Sequence, residues 1–329
     1  MGSNPIARAS DSVEYKKKFI SSPAPKMKHI IEARQFEREW LERDFFPLAR
    51  NMEIAVKTGG SDILEGKRMI SFFYEPSTRT RCSFETAMTL LSGKVVFSTE
   101  NARQFSSAAK GETLEDTIRI LNGYHPHVIV LRTDEEGMVK RAAEVSRVPI
   151  INAGDGGGEH PTQALLDIYT IQKELGKIDG LTIAMVGDLT RGRTVHSLSY
   201  LLGKFSNIKI YFVSPESLKM KDEIKDYLKE KNVVFSEGID LRKVASLVDV
   251  IYQTRIQKER GSSIVGTEGF YIVNQEILNL MKKESIIMHP LPRMDEISPE
   301  VDRDSRAAYF RQAENGLYVR MALLRMLLP

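Results

Sequence analysis

A single cysteine, Cys82, is the only thiol in this 329-residue chain. That excludes an intramolecular disulfide and a cysteine-based metal site, and it fits a reducing compartment. No apolar run approaches the roughly 20 residues that span a bilayer, and the first residues lack the apolar core of a secretion signal, so no membrane is expected. Charge of one sign is also missing. Forty-seven Lys and Arg against 44 Asp and Glu leave +3, too small and too evenly spread an excess for nucleic acid or an anionic surface. The histidines outside position 160 show no metal-ligand spacing, and His125-Pro-His127 supplies only two ligands, so no metal is expected. Residues 1–27, rich in Ser, Ala, Pro and Lys, read as a flexible extension, either a tail or the remnant of an organellar transit peptide. The location expected is cytoplasmic, with the plastid stroma as the alternative if that extension is such a remnant.

What is present alternates. A helical pattern over 36–57 carries Phe36, Trp40, Leu41, Phe45, Leu48 and Met52, is divided near Pro47 and closes at Gly59-Gly60. Strands are then predicted at 67–74, 94–98, 127–131 and 148–152, with helices at 79–91, 112–122 and 136–146. A second series has strands at 181–187, 208–213, 248–252 and 286–288 and helices near 193–204, 221–231, 240–247 and 274–282. Such alternation implies βαβ units, and the fold class is α/β: two doubly wound parallel-sheet domains joined by interdomain helices. A helix from Pro161 with Ala164, Leu165, Ile168, Ile171 and Leu175 on its apolar positions bridges them. The expected limits are 28–160 for the first domain and 161–304 for the second, with a last helix in 305–329 packing back on the first.

Open α/β sheets bind ligands beyond the carboxyl ends of their strands, so those loops are where chemistry is sought. After the first strand come Ser77, Thr78, Arg79, Thr80 and Arg81, opening a helix. Unpaired N–H groups and the helix dipole favour an anion there, and Arg79 adds a fork matched to phosphate oxygens. Cys82 beside Arg81 reads as a small side chain packed in the first helical turn rather than a catalytic thiol. Arg132 ends the third strand. His160 stands at a helix start before Pro161, where the dipole keeps it neutral and able to donate to a carbonyl oxygen, and Gln163 follows one turn on. Val186-Gly187-Asp-Leu-Thr-Arg-Gly192-Arg193-Thr194 nearly fits a Walker A loop but has Arg193 in place of the lysine. A P-loop NTPase is thus a rival reading, opposed by the lack of a Walker B segment and by the ability of Arg193 to grip a carboxylate. Arg255 and Gln257 alternate along one extended loop, and His289-Pro290-Leu291-Pro292-Arg293 forms a proline-fixed wall. A polar loop carrying Ser106 and Lys110, hinged at Gly111, could close on a bound anion.

Ser77-Thr-Arg-Thr-Arg81, Lys110-Gly-Glu112, His160-Pro-Thr-Gln163, Gly187-Asp-Leu with Gly192-Arg193-Thr194, and His289-Pro-Leu-Pro-Arg293 together resemble the transcarbamoylase family, over residues 28–328. Ornithine-specific members carry His-Cys-Leu-Pro and Ser-Met-Gly segments. Here His289-Pro-Leu-Pro and Thr254-Arg-Ile-Gln look like the aspartate-specific branch, and two arginines suit a dicarboxylate better than the ammonium of ornithine. The resemblance implies transfer of the carbamoyl group of carbamoyl phosphate to the α-amine of L-aspartate, a step of pyrimidine biosynthesis. The alternative within the family is another amine. By match to the family's motifs, Ser77, Thr78, Arg79, Thr80, Ser106, Lys110, Arg132, His160, Gln163 and Leu291 bind carbamoyl phosphate, and Arg79, Thr80, Lys110, Arg132 and His160 are catalytic. Lys110, Arg193, Arg255, Gln257, Leu291 and Pro292 bind aspartate, while Glu75, Arg193 and Arg260 hold the domains closed. The same resemblance implies a homotrimer in which Ser106 and Lys110 come from the neighbouring subunit, and no cofactor. The Phe105–Lys110 loop resembles the plant type, which implies competition by a pyrimidine nucleotide such as UMP. The loop after Arg260 is glycine-rich and somewhat short beside some relatives.

Overall fold

The computed structural model describes residues 27–238, 240–255 and 271–328. Helix α1 (Phe46–Lys57) is preceded by a π-helical turn, Leu41–Phe45, in place of one continuous helix. Pro47 has no N–H to offer the carbonyl four residues back, so the chain widens its pitch just upstream. The first sheet then builds from β1 (Arg68–Phe73), α2 (Thr78–Leu90), β2 (Lys94–Thr99), α3 (Leu114–Gly123), β3 (Val128–Thr133), α4 (Met138–Val145) and β4 (Ile150–Asp155). Every pairing is parallel and the order is β2-β1-β3-β4. Val128-Ile-Val-Leu131 and Ile150-Ile151 are the continuous apolar runs expected of strands covered on both faces, and β3 and β4 are buried throughout.

Helix α5 (Pro161–Leu175) leads into the second sheet: β5 (Thr182–Val186), α6 (Arg193–Leu202), β6 (Lys209–Val213), α7 (Asp222–Glu230), β7 (Val234–Gly238), β8 (Val250–Gln253), α8 (Gln275–Leu280) and β9 (Ile286–Met288). Its order is β7-β6-β5-β8-β9, again all parallel. Two expectations are corrected. Strand β7 was not anticipated: it is an exposed edge strand whose Ser236-Glu237-Gly238 hides the pattern. The helix expected at 240–247 is a short 3-10 turn, Leu241–Lys243, because Asp240 Oδ1 accepts from the Arg242 N–H and tightens the start.

Helix α9 (Tyr309–Leu327) closes the fold, packing on α1, α2 and α5. Residues 161–171 of α5 are all buried. One apolar cluster therefore runs from Met69 and Phe73 of the first sheet through Leu165, Ile168 and Ile171 to Ile183 and Met185 of the second. Each such side chain contributes roughly 1.5–3 kcal/mol by leaving water. The two sheets thus share one core along α5, and a cleft opens where their strand ends face each other.

Candidate active site

In each sheet the chain reverses its winding once, between β1 and β3 in the first and between β5 and β8 in the second. The connections leaving a reversal point splay apart and leave a crevice. The loop after β1 brings Glu75 to Thr80 and the end of β3 brings Arg132; opposite them, Gly187 to Thr194 follow β5 and Thr254-Arg255 follow β8. The two crevices form a single cleft of about 870 Å3, also walled by His160, Gln163 and His289–Pro292. Among the described residues six arginines line it (79, 132, 191, 193, 255 and 320), with only Glu75 and Asp188 as carboxylates. This is a receptacle for anions.

Glu75 sits between the two sides. Its Oε2 lies 2.7 Å from Arg132 Nη2 and 3.2 Å from Arg193 Nη2. Arg132 Nη1 also donates to the Ala153 carbonyl, and Arg193 Nη1 to that of Gly156, across the cleft. Arg132 Nε is buried without a hydrogen-bond partner among the described residues. Burial above all, then the positive charge of Arg193, lowers the Arg132 guanidinium to about 10, against the pull of Glu75. Both guanidiniums pass Gly154 at φ +126, where a Cβ would lie 2.8 Å from Arg132 Nη1 and 3.1 Å from Arg193 Cζ. Glycine is required there by space and by backbone conformation alike.

Ser77 precedes α2 without capping it by its side chain, so the first amides of that helix face the cleft uncapped beside Arg79. His160 is 4 % exposed, and its backbone N–H donates to Ser197 Oγ. Its imidazole is held well below the ordinary histidine range, first by burial and then by the charges of Arg193, Arg132 and Arg320. The ring is neutral as anticipated, though for that reason more than for the helix dipole. Thr162 Oγ1 lies 3.4 Å from Nδ1, and a hydroxyl donating there leaves the ring proton on Nε2. Leu291 stands at φ +46 before a cis bond to Pro292, and its N–H donates to His289 Nδ1 at 2.8 Å. Buried His289 is anchored in turn by Glu296 at 2.8 Å.

Of the residues singled out in the sequence, Ser77, Thr78, Arg79, Thr80, Arg132, His160, Gln163, Arg193, Arg255, Leu291 and Pro292 line the cleft together. Ser106 and Lys110 do not: they lie on and beside the 3-10 turn Ser107–Lys110, in the segment that follows β2, whose Arg103 pairs with Asp134 after β3. Gln257 and Arg260 fall outside the described residues. Cys82 is exposed in the cleft wall, not packed, because its helix turns the Thr80–Phe84 face inward. Arg193, in the lysine position of the Walker-like loop, points away from its own loop toward the first lobe, which removes the main support for a P-loop. Arg320, Gln312 and Asp167 were missed. Arg320 is a buried cation inside the apolar run of α9, and Asp167 lies four residues after Gln163, so both carried a sequence signal.

Residues 28–173 match the family model described as "Aspartate/ornithine carbamoyltransferase, carbamoyl-P binding domain", and residues 179–327 match its "Asp/Orn binding domain". The chain is 59% identical over 304 residues to a protein of Arabidopsis thaliana named aspartate carbamoyltransferase, chloroplastic, covering 91% of this chain and 77% of that one. It is 48% identical over 306 residues to the aspartate carbamoyltransferase catalytic subunit of Methanocaldococcus jannaschii, covering 92% and 98%. The crystal structure of aspartate transcarbamoylase from Trypanosoma cruzi in complex with carbamoyl phosphate superposes with a TM-score of 0.90 at 40% identity, covering 95% of this chain and 100% of that one. The same enzyme in complex with N-(phosphonacetyl)-L-aspartic acid superposes at 0.88 and 41%, covering 94% and 98%. With one domain model falling on each sheet and both lobes superposing as a unit, this chain belongs to the aspartate/ornithine carbamoyltransferase family.

Proposed function

We propose that the cleft binds carbamoyl phosphate on the first lobe and L-aspartate on the second, and transfers the carbamoyl group to the aspartate amine. The observation that carries this reading is the pairing of two anion-accepting crevices, one per sheet, on either side of a neutral His160. Phosphate oxygens are met by the amides of α2 with Ser77, Thr78, Arg79 and Thr80, and by Arg132. Attack of the amine converts the carbonyl into an oxyanion, stabilised by donors from Thr80, Arg132 and His160. The tetrahedral intermediate collapses by breaking the bond to phosphate, which leaves carrying the amine proton. No side-chain nucleophile is needed, and the catalysis is one of fixed charge and orientation. Arg193 and Arg255 suit the two carboxylates of aspartate, with Gln257 and the backbone at Leu291 and Pro292 completing that side.

We further propose a homotrimer in which Ser106 and Lys110 enter a neighbour's cleft. Their absence from the lining of this chain's cleft supports it, as do the exposed Val96 and Phe97 of the edge strand β2 and the exposed Phe105 after it. The chloroplastic names of the plant relatives favour a plastid location over a cytoplasmic one. Inhibition by UMP rests on the Phe105–Lys110 loop alone, and a titration in which UMP fails to compete with carbamoyl phosphate removes it.

The deciding experiment measures product from carbamoyl phosphate with aspartate, ornithine and putrescine side by side. Carbamoyl aspartate alone is expected. Preferred turnover of another amine, or phosphate release from ATP without carbamoyl phosphate, overturns the reading. Mixing inactive Arg79→Ala with inactive Lys110→Ala should restore part of the activity, whereas no recovery overturns the shared site.

A further inference from the structure

Gln163 lines the cleft, whereas Asp167, one turn further along α5, does not. Asp167 is fully buried, and three donors converge on its carboxylate. Gln163 Nε2 reaches Oδ1 at 2.9 Å, Gln312 Nε2 reaches the same oxygen at 2.6 Å, and Tyr252 OH reaches Oδ2 at 2.6 Å. The donors come from α5, α9 and β8, so the carboxylate ties both lobes and the terminal helix to one point. A buried carboxylate is costly, and one placed immediately behind a cleft wall invites the question of what it holds.

An amide has a donor end and an acceptor end, and fixing one fixes the other. Gln312 is fixed from behind, because its Oε1 accepts from the His289 N–H at 2.8 Å. Its Nε2 must then face Asp167, and the Oδ1 position must be an acceptor. Gln163 meets that same oxygen, so it too turns its Nε2 inward. Gln163 Oε1 accepts no hydrogen bond from the described residues and is the end left to the cleft.

We propose that Asp167 is a positioning residue for acyl-donor selectivity: by holding the nitrogen end of Gln163 it presents Oε1 to the cleft, which favours a donor with an N–H2 on its carbonyl over one with a methyl group. Carbamoyl phosphate meets Oε1 with an N–H. Acetyl phosphate has nearly the same shape and charge but meets it with a C–H and leaves it unpaired. A free Gln163 amide would turn over and lose this discrimination.

The inference rests on the carbamoyl-transfer reading, and its test is the ratio of kcat/KM for carbamoyl phosphate over acetyl phosphate, with aspartate as acceptor and the full chain as enzyme. Asp167→Ala should lower that ratio about tenfold. Asp167→Asn should keep it within about threefold, since its Oδ1 still accepts from both amides and its Nδ2 donates to the Tyr252 oxygen. Gln163→Met should lower the ratio as far as Asp167→Ala does, and the double variant no further. An unchanged ratio in folded Asp167→Ala overturns the proposal. If that variant does not fold, the other two decide: an unchanged ratio in Gln163→Met, or a ratio in Asp167→Asn that falls with it, overturns it equally. Failure of the unmodified chain to turn over carbamoyl phosphate at all would instead sink the activity reading.

Discussion

Gly154 lets two guanidiniums from opposite lobes approach one carboxylate past bare backbone. Gly154→Ala introduces a Cβ at 2.8 Å from Arg132 Nη1 on a residue at φ +126. We expect the fold to survive, with circular dichroism unchanged, while kcat/KM for carbamoyl phosphate falls at least about tenfold through displacement of Arg132. His160→Ala tests a different role. Removing one donor to a developing oxyanion should lower kcat on the order of a hundredfold with little change in KM for aspartate, and steady-state kinetics at saturating carbamoyl phosphate would check it. A loss confined to KM would assign His160 to binding alone.

At the scale of elements, the turn between β4 and α5 carries Glu159, whose Oε2 accepts from the Ala33 N–H at 2.6 Å and from Ser197 Oγ at 3.3 Å. It thereby ties the segment before α1 to α6. Burial raises this carboxyl to about 7, against the opposing pull of the Ala33 N–H. A pKa raised on folding gives stability that is complete below the unfolded value near 4.5 and is lost as pH climbs through about 7. Glu159→Gln keeps an acceptor but does not titrate. Urea midpoints measured from pH 5 to pH 8 should therefore fall less steeply for the variant, the difference reaching at most about 3 kcal/mol. Parallel slopes would show that Glu159 does not titrate in this window.

The elements themselves were legible to the degree that burial left a pattern. Val128–Leu131 and Ile183–Val186 are apolar because both their faces are covered, so strand assignment needed only length and β-branching. Strand β7 has one polar, exposed side and no such record. At 240–247, Leu241, Val244 and Ala245 have helical spacing, but a local hydrogen bond to the Asp240 side chain competes with the helix and shortens it. The cleft residues were readable because hydroxyls, arginines and a histidine follow strand ends. That Ser106 and Lys110 stay out of this chain's own cleft lining was not readable from residue type or spacing, and only the family resemblance set them apart. Asp167 carried a signal in its four-residue spacing from Gln163, but that spacing gains meaning only once Gln312 and Tyr252 are seen to meet the same carboxylate.

For the molecule as a whole, the cleft concentrates like charge that folding must tolerate. Arg320 is 3 % exposed, and burial lowers it to about 10. A depressed cation destabilises the fold at neutral pH, so any anion that neutralises the cleft should stabilise the whole chain. We expect inorganic phosphate, and more strongly a phosphonate–dicarboxylate bisubstrate mimic, to raise the unfolding temperature, by about 2.7 kcal/mol of stability at a hundredfold excess over Kd. Differential scanning calorimetry would check it, and an Arg132→Ala/Arg193→Ala double variant should lose most of the shift. An equal shift in that variant would place the anion elsewhere.

Helix α9 lies against α1, α2 and α5, although more than 150 residues of chain separate it from β4, the last strand of the first sheet. During synthesis the ribosome therefore releases the whole of that lobe long before the helix that covers it. The nascent chain must carry a bare greasy flank through the making of an entire second lobe, which is the interval in which a holding chaperone would matter most.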